Sequence, residues 1–403
     1  MTPLKGITVV DLSKVFAGPL CTQYLGDLGA DVIKVEPVKG GDDTRLWEPQ
    51  KDGQASPFLA FNRNKRSLAI DLKSDEGRAI VHALAKKADI VIQGFKGGTA
   101  AKLGVDHKTL KALNERLIYC EISGYGLEGP LAGDAGYDVM LQAFSGMLST
   151  IGEPGRSPAR VSFSPVDLGT GMLGVSGILA ALLERERTGK GVHVELTLLD
   201  SAMAQMAYLA QNYWITGKVP QALGSRHGSL APYQAFSASD GDLMIGAGND
   251  AQWRRLCNVL GTQELADDPR FATNSDRVAR MDETAGIVQR VVGTQPVAHW
   301  LDALSKQGIP CAPIHTVEEA LAHPQTAARG LVVHTEHPVL GQMNQIGLPI
   351  RFDHEPRETP RAPPLLGEHS GEILSELGFD VNEIDRLAKS GVIARQNKET
   401  TKT

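Results

Sequence analysis

Cysteine is scarce: 403 residues contain four, Cys21, Cys120, Cys257 and Cys311, and no two form a C-x-x-C pair. That spacing supports neither a disulfide framework nor a thiolate metal site, and it suits a reducing, cytoplasmic setting. Cys311, next to Pro310, reads as core packing. Aromatic residues make up only 5% of the chain and the net charge is −6. With no basic block rich in aromatics, nucleic acid is not an expected partner. No apolar run reaches membrane-spanning length, so a membrane is not expected either. The start, MTPLKGITVVDL, enters a strand at once and leaves no room for a signal peptide. The apolar content of 42% and charged content of 22% are those of an ordinary globular protein, and the length suits two domains.

Short apolar runs alternate with helical patterns from the N-terminus onward. Strands are expected at 7–12, 31–36, 67–72, 89–93, 116–123 and 192–200. Helices are expected at 19–28, with Pro19 in first position, and after Ser74, whose helix carries acids in its first turn and lysines in its last. The fold class implied is α/β, a mostly parallel, doubly wound sheet. In such sheets ligands lie beyond the carboxyl ends of the strands. The segments there are 13–18 (SKVFAG), 94–104 (GFKGGTAAKLG) and 124–138 (GYGLEGPLAGDAGYD). The first lacks G-x-G-x-x-G, which argues against nicotinamide or flavin binding. A hairpin is expected at 233–248 around Asp240-Gly241, with helices near 250–260, 281–292 and 297–306 and a capping box from Thr316 to Glu319. The domains are read as 1–200, a linker at 201–223, a smaller α+β insertion at 224–320, and a return through a proline-rich linker at 321–403. The tail 394–403 looks disordered.

The chain is organised around 161–172, VSFSPVDLGTGM, which places Asp167 at the mouth of a long apolar helix. Met172, Val175, Ile178, Leu179, Leu182 and Leu183 make one stripe expected to be buried. Beside free helix-start N–H groups the Asp167 carboxylate is expected to stay ionised and to be either a nucleophile or a simple N-cap. Lys34, Arg45, Lys65, Arg66, Lys96 and Lys102 gather near strand ends and suit an anion with several phosphates. Tyr137 is placed as a donor to a reacting carbonyl or as core packing. Arg226, His227 and Ser229, in the loop 224–236, suit a carboxylate or are a polar interdomain loop.

The ordered series LKGITVVDLSKVFAGPLCTQYLGDLGADVIKVE, GDDTR, NRNKRS, GYGLEGP, GYD, VDLGTGM, TGKG, AGNDAQW, GIPCAPI and PPLLGEH resembles the family III CoA-transferases, and spans nearly the whole chain. HGSLAPYQAF followed by DGDLMIGAGND is most similar to the members that move CoA from succinyl-CoA to dicarboxylic acids such as glutarate or itaconate. The resemblance implies an interlocked homodimer, each protomer having a Rossmann-like large domain built from both chain ends and a small inserted domain. It puts the catalytic aspartate on Asp167, and CoA contacts on Val15, Ala17, Lys65, Phe95, Lys96 and Lys102. Pro37 stands where several members have a basic residue, which Arg45 is expected to replace. Oxyanion donors are sought in the N–H groups of Gly169, Gly246 and Gly248. The implied substrates are an acyl-CoA and a carboxylic acid. No tightly bound cofactor and no metal are expected. The alternatives are a carnitine- or formyl-type transferase and a 2-methylacyl-CoA racemase, whose second base is a histidine where this chain has Tyr137, a poor base at neutral pH.

Overall fold

The computed structural model describes residues 1–355 and 360–396. The chain divides into two compact units, one made of Met1–Met147, Val161–Gly217 and Gln325–Thr403, the other of Leu148–Arg160 and Lys218–Pro324. The second thus includes a stretch of the first half that the sequence reading left in the large domain. The expected linker, 201–223, is largely helical up to Thr216; it belongs to the first unit as far as Gly217 and to the second from Lys218.

The first unit is built on β1 (Thr8–Leu12), α1 (Ala17–Asp27), β2 (Asp31–Glu36), β3 (Lys65–Ile70), α2 (Asp75–Lys87), β4 (Ile90–Gln93), β5 (Ile118–Ser123), α3 (Asp138–Phe144), α4 (Pro165–Thr188), β6 (His193–Thr197), α5 (Leu198–Gln205) and α6 (Ala207–Thr216). Its strands run in the order β3-β2-β1-β4-β5-β6, all parallel. Both faces of a parallel sheet are covered, so its strands carry short apolar runs rather than alternation, interrupted here by the buried Asp11, Lys34, Glu36 and Lys65. Val9, Val10, Leu68, Val91, Ile92 and Ile118 are fully buried. The strand expected at 192–200 ends early because the Thr197 side chain accepts the Asp200 N–H and starts α5. Helix α1 begins two residues before Pro19, which occupies its third position.

Helix α4 departs most from expectation. Its 24 residues are long and apolar enough to cross a membrane by length and composition alone, contrary to the sequence reading. It packs instead against α1 and the sheet. The face it buries is Gly171, Gly174, Ile178, Ala181, Leu182 and Arg185, while Met172 and Leu183 of the expected stripe are exposed. Small residues share the buried side with Ile178, Leu182 and Arg185. A Cβ on Gly171 would lie 2.6 Å from the carbonyl oxygen of Ala17, so the two helices meet backbone to backbone. Gly171→Ala is therefore expected to destabilise the protein by about 1–3 kcal/mol through overpacking, read as a lower urea midpoint at unchanged slope.

In the second unit β7 (Tyr233–Ser237) and β8 (Asp242–Gly246) form the expected hairpin, with β9 (Cys311–Pro313) on its other edge. Helices Asp250–Leu260, Met281–Val292 and Val297–Lys306 close a core holding Phe236, Trp253, Phe271 and Trp300. Thr316 and Glu319 make the capping box.

The chain then forms a hairpin the sequence reading missed, β10 (Val332–His337) with β11 (Gly341–Ile346). Thr335, His337 and Gln345 are buried polar residues, and they mask the alternation that marks a half-buried strand. Two short helices follow, and β12 (Ile393–Ala394) closes the large sheet antiparallel to β3. The C-terminal segment is stitched to β3 and its end by Gly367 N–H to Ser67 Oγ (2.9 Å), Ala69 N–H to Ser370 Oγ (3.2 Å) and Asp71 N–H to the Val392 carbonyl (2.8 Å). Of the tail expected to be disordered, Ala394 is in this strand, and residues 397–403 lie outside the described residues.

Candidate active site

The sheet reverses direction at its centre. From β1 the chain proceeds outward through β2 and β3, then returns to add β4, β5 and β6 on the other side. The loops leaving β1 and β4 therefore diverge, and a crevice opens between them. A cavity of about 220 Å³ occupies that position, lined by residues 13–18, Gly94 to Gly97, Glu121 to Gly124, Tyr137, Asp167 and Leu198. The three glycine-rich segments converge here. A Cβ on Gly97 would fall 2.4 Å from the Gly133 Cα, so two wall loops touch through backbone alone.

Val15, in the loop after β1, has φ 69°, a left-handed conformation that a β-branched residue rarely adopts. Charges beneath it hold it there. The Val15 N–H donates to Asp42 Oδ1 (3.3 Å), the fully buried Lys34 ammonium lies 2.9 Å from Asp42 Oδ2, and Lys34 also donates to the Ser13 carbonyl (3.0 Å).

The same buried lattice corrects the sequence reading of the cations. Lys65 is fully buried, and its ammonium donates to Asp11 Oδ2 (3.1 Å), the Pro19 carbonyl (2.9 Å) and Asn62 Oδ1 (2.9 Å). All three of its protons are used, and none reaches the cleft. Arg45 is clamped on Glu36 (2.7 and 2.8 Å), bonded to the Pro364 carbonyl and laid over the Phe58 ring, and it borders a different cavity. Arg66 is paired with Asp31, Glu372 and Glu376. Lys102 is exposed but does not line the cleft, whereas Val15, Ala17, Phe95 and Lys96 do.

Asp167 is not an N-cap. Ser164 holds the cap position of α4, and Asp167 is its third residue, with its side chain almost wholly buried. The helix-start donors it was expected to face are already taken. Asp138, the first residue of α3, accepts both the Val166 N–H (2.8 Å) and the Asp167 N–H (3.0 Å) on one oxygen, and the Leu168 N–H bonds to the Ser164 carbonyl. Gly169 lies deeper, where its N–H belongs to the helical ladder. Burial, reinforced by the negative charge of Asp138, raises the Asp167 carboxyl to about 7, so it does not simply stay ionised as expected. Asp138 escaped the sequence reading although it follows Tyr137 directly. Its signal was an acid opening a second helix within the same G-Y-D triplet.

Tyr137 borders the same cavity, with its side chain largely exposed. The two remaining glycine donors belong to the second unit and are committed there, Gly246 N–H to the Pro310 carbonyl (2.9 Å) and Gly248 N–H to Gln252 Oε1 (2.8 Å). None of the three glycines sought as oxyanion donors thus offers a free N–H. In that unit Arg226 pairs with Asp282 at 2.5 Å, and the His227 ring accepts the Ser229 N–H.

A cleft at the switch point of a parallel sheet, with an acid at its wall, is a place where such folds bind ligands. The sequence profile of CoA-transferase family III matches residues 4–370. The chain belongs to that family. Among its relatives, succinate–glutarate CoA-transferase of Agrobacterium fabrum is 43% identical over 387 residues, covering 93% of this chain and 96% of its own. Human succinyl-CoA:glutarate CoA-transferase is 37% identical, covering 97% and 90% respectively. The crystal structure of a CaiB/BaiF family protein from Brucella suis superposes with a TM-score of 0.83 at 42% identity, covering 93% of this chain and 99% of that one. This protein is accordingly a CoA-transferase, with a CoA thioester and a carboxylic acid as substrates.

Proposed function

We propose that this CoA-transferase takes CoA from succinyl-CoA and gives it to a short dicarboxylic acid, glutarate foremost, with Asp167 as the nucleophile. The observation that carries the reading is the near full-length similarity to two enzymes named for that exchange, joined to the buried acid at the cleft wall. The Asp167 carboxylate attacks the donor thioester carbonyl, the C–S bond breaks, and CoA leaves as thiolate with an aspartyl–succinyl anhydride behind it. The thiolate then attacks the aspartyl carbonyl, succinate departs, and an enzyme–CoA thioester remains. The acceptor carboxylate runs the same two steps backwards. No proton is gained or lost overall once Asp167 is ionised. A buried site protects both intermediates from water.

Val15, Ala17, Phe95 and Lys96 are the CoA contacts best supported, since they share the cleft with Asp167, and Tyr137, which lines the same cleft, is proposed as a donor. Arg226, His227 and Ser229 are proposed for the distal carboxylate of the acceptor, which must then displace Asp282 from Arg226. The homodimer, with its chains interlocked, belongs to the same reading. Leu183 on α4 and Tyr208, Trp214 and Ile215 on α6 are between 61% and 75% exposed, an apolar surface of the kind a partner subunit covers.

The test uses purified enzyme with succinyl-CoA and separate glutarate, itaconate and butyrate. Glutaryl-CoA is expected to form fastest and butyryl-CoA at least ten-fold more slowly, because butyrate has no distal charge. Rapid quenching is expected to leave a CoA-mass adduct on the peptide containing Asp167. Preference for butyrate would overturn the dicarboxylate assignment, and an adduct on another residue would overturn Asp167.

A further inference from the structure

We propose that Asp138 is the positioning residue of the aspartyl nucleophile: its carboxylate pins the backbone at the start of α4 and, as a fixed negative neighbour, biases Asp167 toward its uncharged states, the anhydride and the CoA thioester included. This rests on the reading of Asp167 as the nucleophile and adds a role for a residue that touches no reacting atom.

The geometry separates the two halves of the device. Asp138 Oδ2 holds the main-chain N–H groups of Val166 and Asp167, and Oδ1 accepts the Gln142 Nε2 at 2.5 Å. Gln142 is itself buried, and its carbonyl oxygen accepts the Val161 N–H at 3.2 Å, so the segment entering α4 and the start of α4 are tied to the same short helix. Asp138 thus grips Asp167 by its backbone and leaves the side chain free to be acylated. The second half is electrostatic. A carboxylate near a helix N-terminus is ordinarily favoured by the unpaired N–H groups there. Here those groups are spent on Asp138, and the residue that collects them is a second anion beside Asp167.

Among the described residues no cation offsets that repulsion at Asp167, whose acidity is shifted by burial and by Asp138. The other titratable groups on the cleft walls are Lys14, Asp43, Lys96, Glu121, Asp134 and Tyr137. The ionised form of Asp167 is therefore raised in energy. Protonation relieves the repulsion, and so does acylation, since an anhydride or thioester at that carbon carries no charge there. One interaction thereby favours both the proton and the covalent intermediates, which makes the free carboxylate a stronger nucleophile than an exposed aspartate.

Asp138→Asn removes the charge while its amide oxygen still accepts both N–H groups, at the cost of the bond from Gln142 Nε2, which an NH2 group cannot accept. Asp138→Ser, a second neutral capping residue, is measured beside it in case the first fails to fold. Two readouts are taken on the full-length enzyme with succinyl-CoA: the acid limb of kcat/KM against pH, and the fraction of enzyme carrying CoA on the Asp167 peptide at equilibrium. In wild type the limb is expected near the raised Asp167 value of about 7. In the neutral variants it is expected to move down by about one pH unit, with covalent occupancy relative to free enzyme falling roughly ten-fold. An unmoved limb with unchanged occupancy, in a variant that still forms the adduct, overturns the role of Asp138 and leaves Asp167 standing. Failure of wild type to form any adduct on that peptide overturns the Asp167 reading, and this inference with it.

Discussion

Asp167→Asn is expected to lose transfer activity by about 10⁴-fold or more, form no CoA adduct, and be more stable than wild type at neutral pH. The first two outcomes follow from removing a nucleophile whose bond to the acyl group defines the reaction path. The third follows from burial. The Asp167 carboxyl titrates near 7 in the folded protein against an ordinary 3.8, because burial and then Asp138 disfavour its charge. Between those values the folded state binds the extra proton, so wild-type stability falls as pH rises through that window and does not recover above it. The loss is on the order of 4 kcal/mol. Asparagine never ionises and is spared this loss. Urea unfolding of both proteins at acid and neutral pH measures it. Equal stability at both pH values would mean that Asp167 is solvated in solution.

Lys65→Met is expected to destabilise the enzyme by about 3–5 kcal/mol and to lower its activity, although Lys65 does not reach the cleft. Burial alone would raise the Asp11 carboxyl. The ammonium groups of Lys65 and Lys34, with the hydroxyls of Ser13 and Thr22, outweigh that and hold it at about 2. This stabilisation is present above the ordinary carboxylate range and is lost as pH falls toward 2. Methionine fills much of the lysine volume but leaves Asp11 short of a counter-charge. The damage spreads to function because Asp11 also accepts the Ser13 N–H (2.9 Å), the first residue of the cleft loop. Adding Asp11→Asn to Lys65→Met removes the stranded charge and is expected to restore part of the stability. A double variant as unstable as the sum of the single ones would show that the pair is not coupled.

These effects mark what could and could not be read from the residues. The parallel sheet was legible because fully buried strands such as Ile90–Gln93 show their burial as short apolar runs. The site's location followed from the glycine-rich loops after those strands. Cations were misread because a lysine looks the same in sequence whether it faces phosphate or, like Lys65, an aspartate 54 positions away. The ionisation of Asp167 was misread for a related reason. A helix start promises free donors, and only the fold shows that Asp138, 29 residues earlier, has already taken them. The buried glycines of α4 inverted the usual rule, since close helix contact is made by glycine and leaves Met172 and Leu183 outside.

The antiparallel strand β12 imposes an order on the birth of the molecule. Its partner β3 is complete after 70 residues, yet Ile70 and Ala69 pair with Ile393 and Ala394. While the chain emerges from the ribosome, β3 is an edge with exposed N–H and C=O groups, flanked by a parallel sheet still acquiring its later strands. Such edges recruit other chains. Large-separation pairings of this kind form slowly, since the intervening loop must first be closed. The end of β3 therefore stays open through the synthesis of the whole second unit, and a chain stopped before residue 393 is expected to keep that edge exposed.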